Sequence, residues 1–429
     1  MKRQKRLLLL GMVLLMAVNL GLKYAAWQFT NPARAPEDDG QDYLALAKSI
    51  AHNGTYAGIY GITSARPPLY PLALSVLYRL CRGALPCVRL WQVFLSLAVY
   101  PLLWLLARRL RLSPLAAWLL LICYTIYPVF LYLPTRILTE NLFVPLLLAF
   151  SVIFMDYKTP GRLAASAVTA GLAALTRPMF LIFPLFAASY IFIYQRGNYR
   201  KALRHTALLC LVMVLTIAPW TLRNYLTWHG FCPITTNSGN TLMINNNDLL
   251  FAIPGPAPQN RVFEKHILHP DFLPGTQKWD SMNELQRDLE LLRRTFAWIR
   301  QHPGRFVRLW PRKLLSFWHY SQNPQSDRLR PGLKDLASLL SYGLLAPFML
   351  LGFFLSLRDP QPNRLFPLLL VCHFTFTTLL FGGSLRFRVP LEPFLMAWAA
   401  MALAWLLSIR SKKQSAPLPN AQNTKDGGL

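Results

Sequence analysis

The sequence predicts an all-α, polytopic membrane protein, and three observations carry that reading. Of its 429 residues 54% are hydrophobic and only 15% charged, a balance outside the range of ordinary soluble domains. Apolar runs long enough to cross ~30 Å of hydrocarbon recur along the whole length. Lysine and arginine gather in the short connections between alternate runs. Backbone polar groups in lipid must be satisfied within their own segment, so these runs read as helices.

Ten spans are expected, near 7–27, 88–107, 115–133, 140–156, 163–177, 179–194, 203–222, 336–357, 365–382 and 389–409. Arg177-Pro178 marks a tight polar turn between the fifth and sixth, which makes both short. Lys2, Arg3, Lys5 and Arg6 precede the first span, and Arg108, Arg109 and Arg111 follow the second. Lys158 and Arg162 flank the fourth and fifth, Arg196 to Arg204 follow the sixth, and Lys412 and Lys413 follow the last. With ten spans these all fall on one side, so both termini are expected in the cytoplasm of a bacterial inner membrane. Loops 28–87 and 223–335 then lie on the periplasmic face. The basic start of the first span resembles a signal peptide, but no small-x-small cleavage site follows Leu22, and the segment reads as a retained helix.

The loops carry the rest of the structure. Tyr43 to His52 has helical periodicity with Gly54 as its stop, and Leu69 to Leu80 is too short to span and reads as an interfacial helix. Ser238 to Pro274, rich in Asn, Gly and Pro, reads as irregular loop. Residues 279–301 form an amphipathic helix with Leu285, Leu289, Leu292 and Phe296 on one stripe, and 303–320 a helix at headgroup level. Residues 1–410 make a single membrane domain, and 411–429 a disordered cytoplasmic tail. Cys123, Cys210 and Cys372 fall inside spans as packing residues, and Cys81 and Cys87 share a loop that an oxidising compartment would allow to close.

A net charge of +27 would suggest nucleic acid in a soluble protein. Here the cytoplasmic cations set topology and attract anionic lipid, so no nucleic-acid partner is expected. The arginines on the opposite face call for another partner. Arg136 and Glu140 lie where the third span meets the fourth, Arg177 between the fifth and sixth, and Arg223 and Asn224 after the seventh. Arg386, Arg388 and Glu392 enter the tenth. Each alone reads as an interfacial anchor or a local ion pair, such as Arg136 with Glu140. Together they form a cationic rim suited to a phosphate-bearing substrate.

The first loop sets an acidic cluster, Glu37, Asp38, Asp39 and Asp42, ahead of a helix. Asp39 reads as an N-cap, with Asp42 completing the first turn. Asp39, Asp42 and Tyr43 also fall at i, i+3 and i+4, on one helical face near the membrane, where a carboxylate can take a proton from an incoming hydroxyl or amine. The two roles are compatible. Arg66 precedes Pro67-Pro68, a rigid bend that either lets the arginine snorkel or fixes a guanidinium to grip a phosphodiester. No Cys/His cluster has metal-ligand spacing.

Several motifs together resemble one family. Asp39-x-x-x-Tyr43, Arg66-Pro-Pro-x-Tyr70-Pro, Thr139-Glu140, Gly171 through Arg177-Pro178, and Pro219-Trp220-x-x-Arg223-Asn224 stand in order along the chain. Pro233 to Asn240 and Arg386-Phe387-Arg388 follow them. The set resembles the GT-C glycosyltransferases, more narrowly the relatives of protein O-mannosyltransferases and lipid A aminoarabinose transferases. The resemblance implies a polyprenyl-phosphate sugar donor, inverting transfer on the outer membrane face, and Asp39 as the catalytic base. It implies Arg66, and next Arg223, on the lipid phosphate. Asp42, Tyr43, Tyr70, Arg136, Glu140, Arg177, Asn224, Asn240, Arg386 and Arg388 complete the expected substrate-binding set. The acceptor would be an envelope glycan, lipid A or a protein. No cofactor is required, and Gly40, where several relatives carry Glu, argues against a metal-assisted variant. No large soluble C-terminal domain of the kind some relatives carry is expected, which leaves acceptor recognition open.

Two other classes compete. A transporter or flippase of a lipid-linked anion predicts charges near mid-bilayer and internal pseudo-symmetry, and the sequence shows neither. A structural subunit of an envelope-glycan assembly would need neither Asp39 nor Arg66.

Overall fold

A computed structural model of the chain describes residues 2–31, 35–36, 39–59, 61–252, 279, 281–319, 336–358 and 361–414. The fold is all-α and polytopic. It begins with α1 (Lys2–Phe29), then α2 (Asp39–Asn53) and α3 (Leu69–Leu80) in the first loop, with the strands Ala57–Gly58 and Gly61–Ile62 paired antiparallel between them. Next come α4 (Leu85–Leu97), α5 (Val99–Arg109), α6 (Pro114–Ile126), α7 (Pro128–Tyr132), α8 (Glu140–Phe154), α9 (Pro160–Thr176), α10 (Phe183–Tyr194) and α11 (Tyr199–Trp228). The second loop holds α12 (Ser238–Ile244), α13 (Leu249–Ala252), α14 (Glu284–Gln301), α15 (Pro303–Arg308) and α16 (Trp310–Trp318). The chain closes with α17 (Leu344–Arg358), α18 (Pro362–Phe381), α19 (Leu385–Arg388) and α20 (Glu392–Gln414).

Each of the ten expected segments is helical, but they differ in reach. Among the described residues six helices are long and apolar enough to cross a membrane: Arg6–Phe29, Leu85–Arg109, Tyr199–Trp228, Leu336–Arg358, Asn363–Phe381 and Leu385–Arg410. A seventh results if Pro114–Ile126 and Pro128–Thr135, bent by 53°, count as one span. Pro128 causes that bend, because it offers no N–H to the preceding turn. The fourth, fifth and sixth segments are shorter. The 15 residues of α8 rise about 22 Å, less than the ~30 Å of a hydrocarbon core.

Between apolar helices in lipid, close backbone approach replaces the hydrophobic drive. Accordingly α9 presents Ala167, Ala170, Ala173 and Ala174 to its neighbours α8 and α11, and Gly171 lies against Thr216. On the opposite side α17 packs on α20, where a Cβ at Gly352 would overlap the Trp398 carbonyl.

The loop helices match the sequence in part. The end of α2 is set by Gly54 at φ +67°, and α3 has the expected bounds. An Asn283–Gln286 capping box opens α14. Its protein-facing side keeps only Leu285 of the expected stripe: Leu285, Asp288, Leu291 and Thr295 are buried, whereas Leu289 and Phe296 are 49% and 60% exposed. The reason is Asp288, which accepts from the backbone N–H groups of Gly239 (2.7 Å) and Asn240 (3.3 Å) and turns that face inward. The same carboxylate supplies the acceptor for the first turn of α12, so Ser238–Ile244 is helix rather than irregular loop. Residues 253–274 of the expected loop, and 415–429 of the expected tail, lie outside the described residues, and 411–414 continue α20. Cys81 and Cys87 form a disulfide.

Candidate active site

The site forms where the first turn of α2 meets the start of α8. Gly40 permits this contact: a Cβ there would stand 3.1 Å from the Ile137 carbonyl and 2.9 Å from Pro36. Without a side chain at 40, α2 lies against the segment leading into α8, and Asp39 comes within reach of the groups around Glu140.

Arg66 reaches the same turn from the Pro67-Pro68 bend. Its Nη2 lies 2.7 Å from Asp39 Oδ1 and 2.6 Å from Asp42 Oδ2, and its Nε donates to Asp42 at 3.1 Å. The guanidinium lies over the Tyr43 ring at 5.6 Å, and Tyr43 meets Tyr70 edge-on at 5.3 Å. Tyr70 in turn donates to Gln92 Oε1 at 2.6 Å, and Gln92 donates to the carbonyls of Pro134 and Arg136 at 3.1 Å. A polar residue inside an apolar run, Gln92 thus props Tyr70 and the turn before α8.

Arg386, delivered by α19, bridges the two carboxylates. It donates to Asp39 Oδ2 through Nη1 and to Glu140 through Nε and Nη2, the last at 3.2 Å. Glu140 is fully buried and also accepts from Arg177 Nη1 at 2.8 Å. The Arg177 guanidinium lies over the rings of Phe143 (5.7 Å) and Phe387 (5.2 Å). Among the described residues three carboxylates and three guanidinium groups therefore alternate through the site. Burial would raise the Asp39 pKa, but Arg386 and Arg66 outweigh it and hold the carboxyl down at about 2, from an ordinary 3.8. That stabilisation is complete above pH 3.8 and lost as pH falls through about 2.

The expected pairing of Arg136 with Glu140 does not form. Arg136 has extended backbone, φ −110° and ψ 148°, so the i, i+4 geometry of a helix is missing, and its guanidinium lies over Tyr132 at 5.8 Å.

Other expected residues stand apart from the carboxylates. Arg223 lies between Trp220 (4.8 Å) and Tyr56 (5.4 Å) and donates to the Thr63 carbonyl at 3.1 Å. Tyr56 donates to the Arg66 carbonyl at 2.9 Å, so a single ring separates Arg223 from the Arg66 segment. Asn224 is buried, accepts from Ser64 Oγ at 2.8 Å and donates to the carbonyls of Cys232 and Ile234, which pins the chain after α11. Asn240 lines a separate cleft of about 400 Å³ with Trp228, Asn237, Glu284 and Arg287. Arg388 is fully buried beside Glu392 (3.1 Å), donates to the carbonyls of Phe317 and His319, and lies 3.4 Å over the Tyr342 ring.

Sequence reading missed several residues that hold this end together. Glu284 accepts from Thr63 Oγ1 and the Ser64 N–H, both at 2.7 Å, and from Thr236, tying the two long loops together. Lys313 Nζ donates to Asn246 Oδ1 and the Leu379 carbonyl, both at 2.7 Å, which closes the C-terminal end of α18. Lys23 is buried in α1 against Ser96 at 2.6 Å. Glu284 and Asp288 had one legible signal, two acids at i, i+4 on an amphipathic helix.

No family model matches the chain, and no curated protein matches it. Solved structures do. The archaeal oligosaccharyltransferase AglB from Archaeoglobus fulgidus, in complex with an inhibitory peptide and a dolichol-phosphate, superposes with a TM-score of 0.57 at 17% identity, over 98% of this chain and 53% of that one. ArnT from Cupriavidus metallidurans in the apo state gives 0.56 at 14% identity, over 94% of this chain and 61% of that one. A further AglB structure, with Zn and sulfate, gives 0.57 at 15% identity, over 94% and 50%. The chain thus has the fold of the GT-C membrane glycosyltransferases, and it spans about half the length of AglB.

Proposed function

We propose that this protein is a membrane glycosyltransferase that moves a sugar from a polyprenyl-phosphate donor to an acceptor hydroxyl or amine, with inversion and with Asp39 as base. The observation that carries the reading is Asp39 held between Arg66 and Arg386 where the first turn of α2 meets the start of α8. That arrangement sets a carboxylate beside cations within reach of a lipid-borne phosphate. The dolichol-phosphate bound to AglB supports a lipid-phosphate donor on this fold. The donor is of undecaprenyl type, and the acceptor is an envelope glycan, lipid A or a protein. The site faces the periplasm of a bacterial inner membrane, with both termini cytoplasmic.

A carboxyl held at about 2 is a weak proton acceptor. The donor phosphate relieves part of this by drawing Arg66 away from Asp39, which lets the Asp39 pKa rise, while Arg386, the stronger of the two influences, stays in place. The acceptor oxygen or nitrogen then attacks the anomeric carbon as its proton passes to Asp39. The bond between that carbon and the phosphate oxygen breaks, and the charge growing on the leaving phosphate is held by Arg66, with Arg223 behind Tyr56 adding positive potential. Arg177 and Glu140 keep Arg386 in place, and Asp42 steadies Arg66. Tyr43 and Tyr70 form the wall under the Arg66 guanidinium. Arg136 and Asn240 would meet the more distant parts of the substrates, while Asn224 and Arg388 hold the backbone around them.

The test is binding of radiolabelled polyprenyl phosphate to purified wild type, Arg66→Lys and Arg66→Ala. Loss of one charge-assisted phosphate contact predicts about tenfold weaker binding for Arg66→Ala, with partial recovery in Arg66→Lys. Equal affinity in all three would remove Arg66 from the phosphate and refute the assignment.

A further inference from the structure

We infer that Arg386 stands in for a divalent cation: its guanidinium fills the position between Asp39 and Glu140 that a metal ion would bridge. Two carboxylates from different helices converging on one point are the usual setting for a hard cation with oxygen ligands. Here Arg386 donates to Asp39 Oδ2 and to both oxygens of Glu140. Among the described residues its charge also completes a balance of three guanidinium groups against three carboxylates, so a dication would add charge beside a fixed one. Glu140 has no freedom to turn elsewhere, since Arg177 holds Oε1 and the Thr139 hydroxyl donates to Oε2. Among the described residues no group of three or more His, Cys, Asp or Glu gathers to hold a metal.

The way Arg386 is delivered makes it a fixture. The turn Gly382-Gly383-Ser384 precedes it, with Gly382 at φ +86° and no room for a Cβ against Asn245. Ser316 donates to the Gly383 carbonyl at 2.7 Å, and Lys313 donates to the Leu379 carbonyl at the end of α18. The α16 helix therefore clamps the turn that aims Arg386 at the two carboxylates.

The experiment measures Mn²⁺ binding by electron paramagnetic resonance on the full chain in detergent, for wild type, Asp39→Asn, Arg386→Ala, Arg386→Gln and Arg386→Ala with Asp39→Asn. Arg386→Ala should bind Mn²⁺ at least about tenfold more tightly than wild type, and the added Asp39→Asn should cancel the gain. If Arg386→Ala fails to fold, Arg386→Gln, which keeps the bulk without the charge, must show the same gain. Tight Mn²⁺ binding by wild type that Asp39→Asn abolishes would overturn the inference, as would a folded Arg386 variant with no gain. The role of this cation in transfer rests on the glycosyltransferase reading, but the Mn²⁺ signal needs no transfer, so the two can fail separately. In the transfer assay, wild-type activity lost to EDTA and restored by Mn²⁺ would also overturn the inference.

Discussion

Replacing Glu140 with Gln removes the charge that the buried Arg177 and the half-buried Arg386 share. Glu140 is fully buried, and the Arg177 side chain is only 8% exposed. A glutamine keeps a single acceptor oxygen where Arg177 and Arg386 now use two, and its amide group would face a guanidinium. Breaking a buried pair by removing one partner costs about 3–5 kcal/mol. Stacking of Arg177 between Phe143 and Phe387 survives the change, which places the cost near the lower end, about 3 kcal/mol. For a chain of this size that corresponds to about 3–6 °C in apparent unfolding temperature. The control is Asp42→Asn, since Asp42 is 43% exposed and its pair with Arg66 is worth about 0–1 kcal/mol. The assay is thermal unfolding in detergent, followed by size-exclusion chromatography of the heated samples. Glu140→Gln unfolding within about 1 °C of Asp42→Asn would refute the argument that this pair is buried and shared.

Two further changes test the second long loop. Gly239→Ala places a Cβ on the Asp288 carbonyl and 2.9 Å from the Leu292 nitrogen, backbone that cannot step aside. A cost of about 1–3 kcal/mol is expected, read as lost hydrogen-exchange protection in 238–244 and 284–301 with the helical bundle unchanged. Unaltered protection there would contradict the close packing of α12 on α14. Burial pushes the Lys313 ammonium down to about 7, from an ordinary 10.5. Between those values the unfolded chain binds the extra proton, so stability rises with pH from 7 to 10.5, whereas below about 7 both states carry it. The gain in unfolding temperature between pH 7 and pH 9 should shrink in Lys313→Met, and an undiminished gain would assign it to another group.

The helices were legible because apolar length and proline positions are local properties. Arg177-Pro178 marked a real break, and Gly54 and the bounds Leu69–Leu80 followed from periodicity and turn chemistry. Which charges meet was not local. Sequence placed Asp39, Arg66, Glu140, Arg177 and Arg386 at helix ends on one side, but their order around Glu140 depends on Gly40 lying against Ile137 and on the turn before Arg386. The neighbour four residues away, Arg136, was the natural partner on paper and lost to cations 37 and 246 positions distant. The α14 stripe failed for a related reason. Periodicity counted Leu289 and Phe296 as inward, but Asp288 bonding to the Gly239 backbone set the face that turns to the protein. The same long-range contact made a helix of Ser238–Ile244.

The most direct test is transfer of label from radiolabelled polyprenyl-phosphate sugars in membranes that hold either wild type or Asp39→Asn, with folding of both checked by size-exclusion chromatography. Label is expected to reach an acceptor with wild type and not with a folded Asp39→Asn. Equal transfer by both proteins would remove Asp39 as base, and no transfer by either across several donor sugars would contradict the glycosyltransferase reading and favour a transporter of a lipid-linked anion.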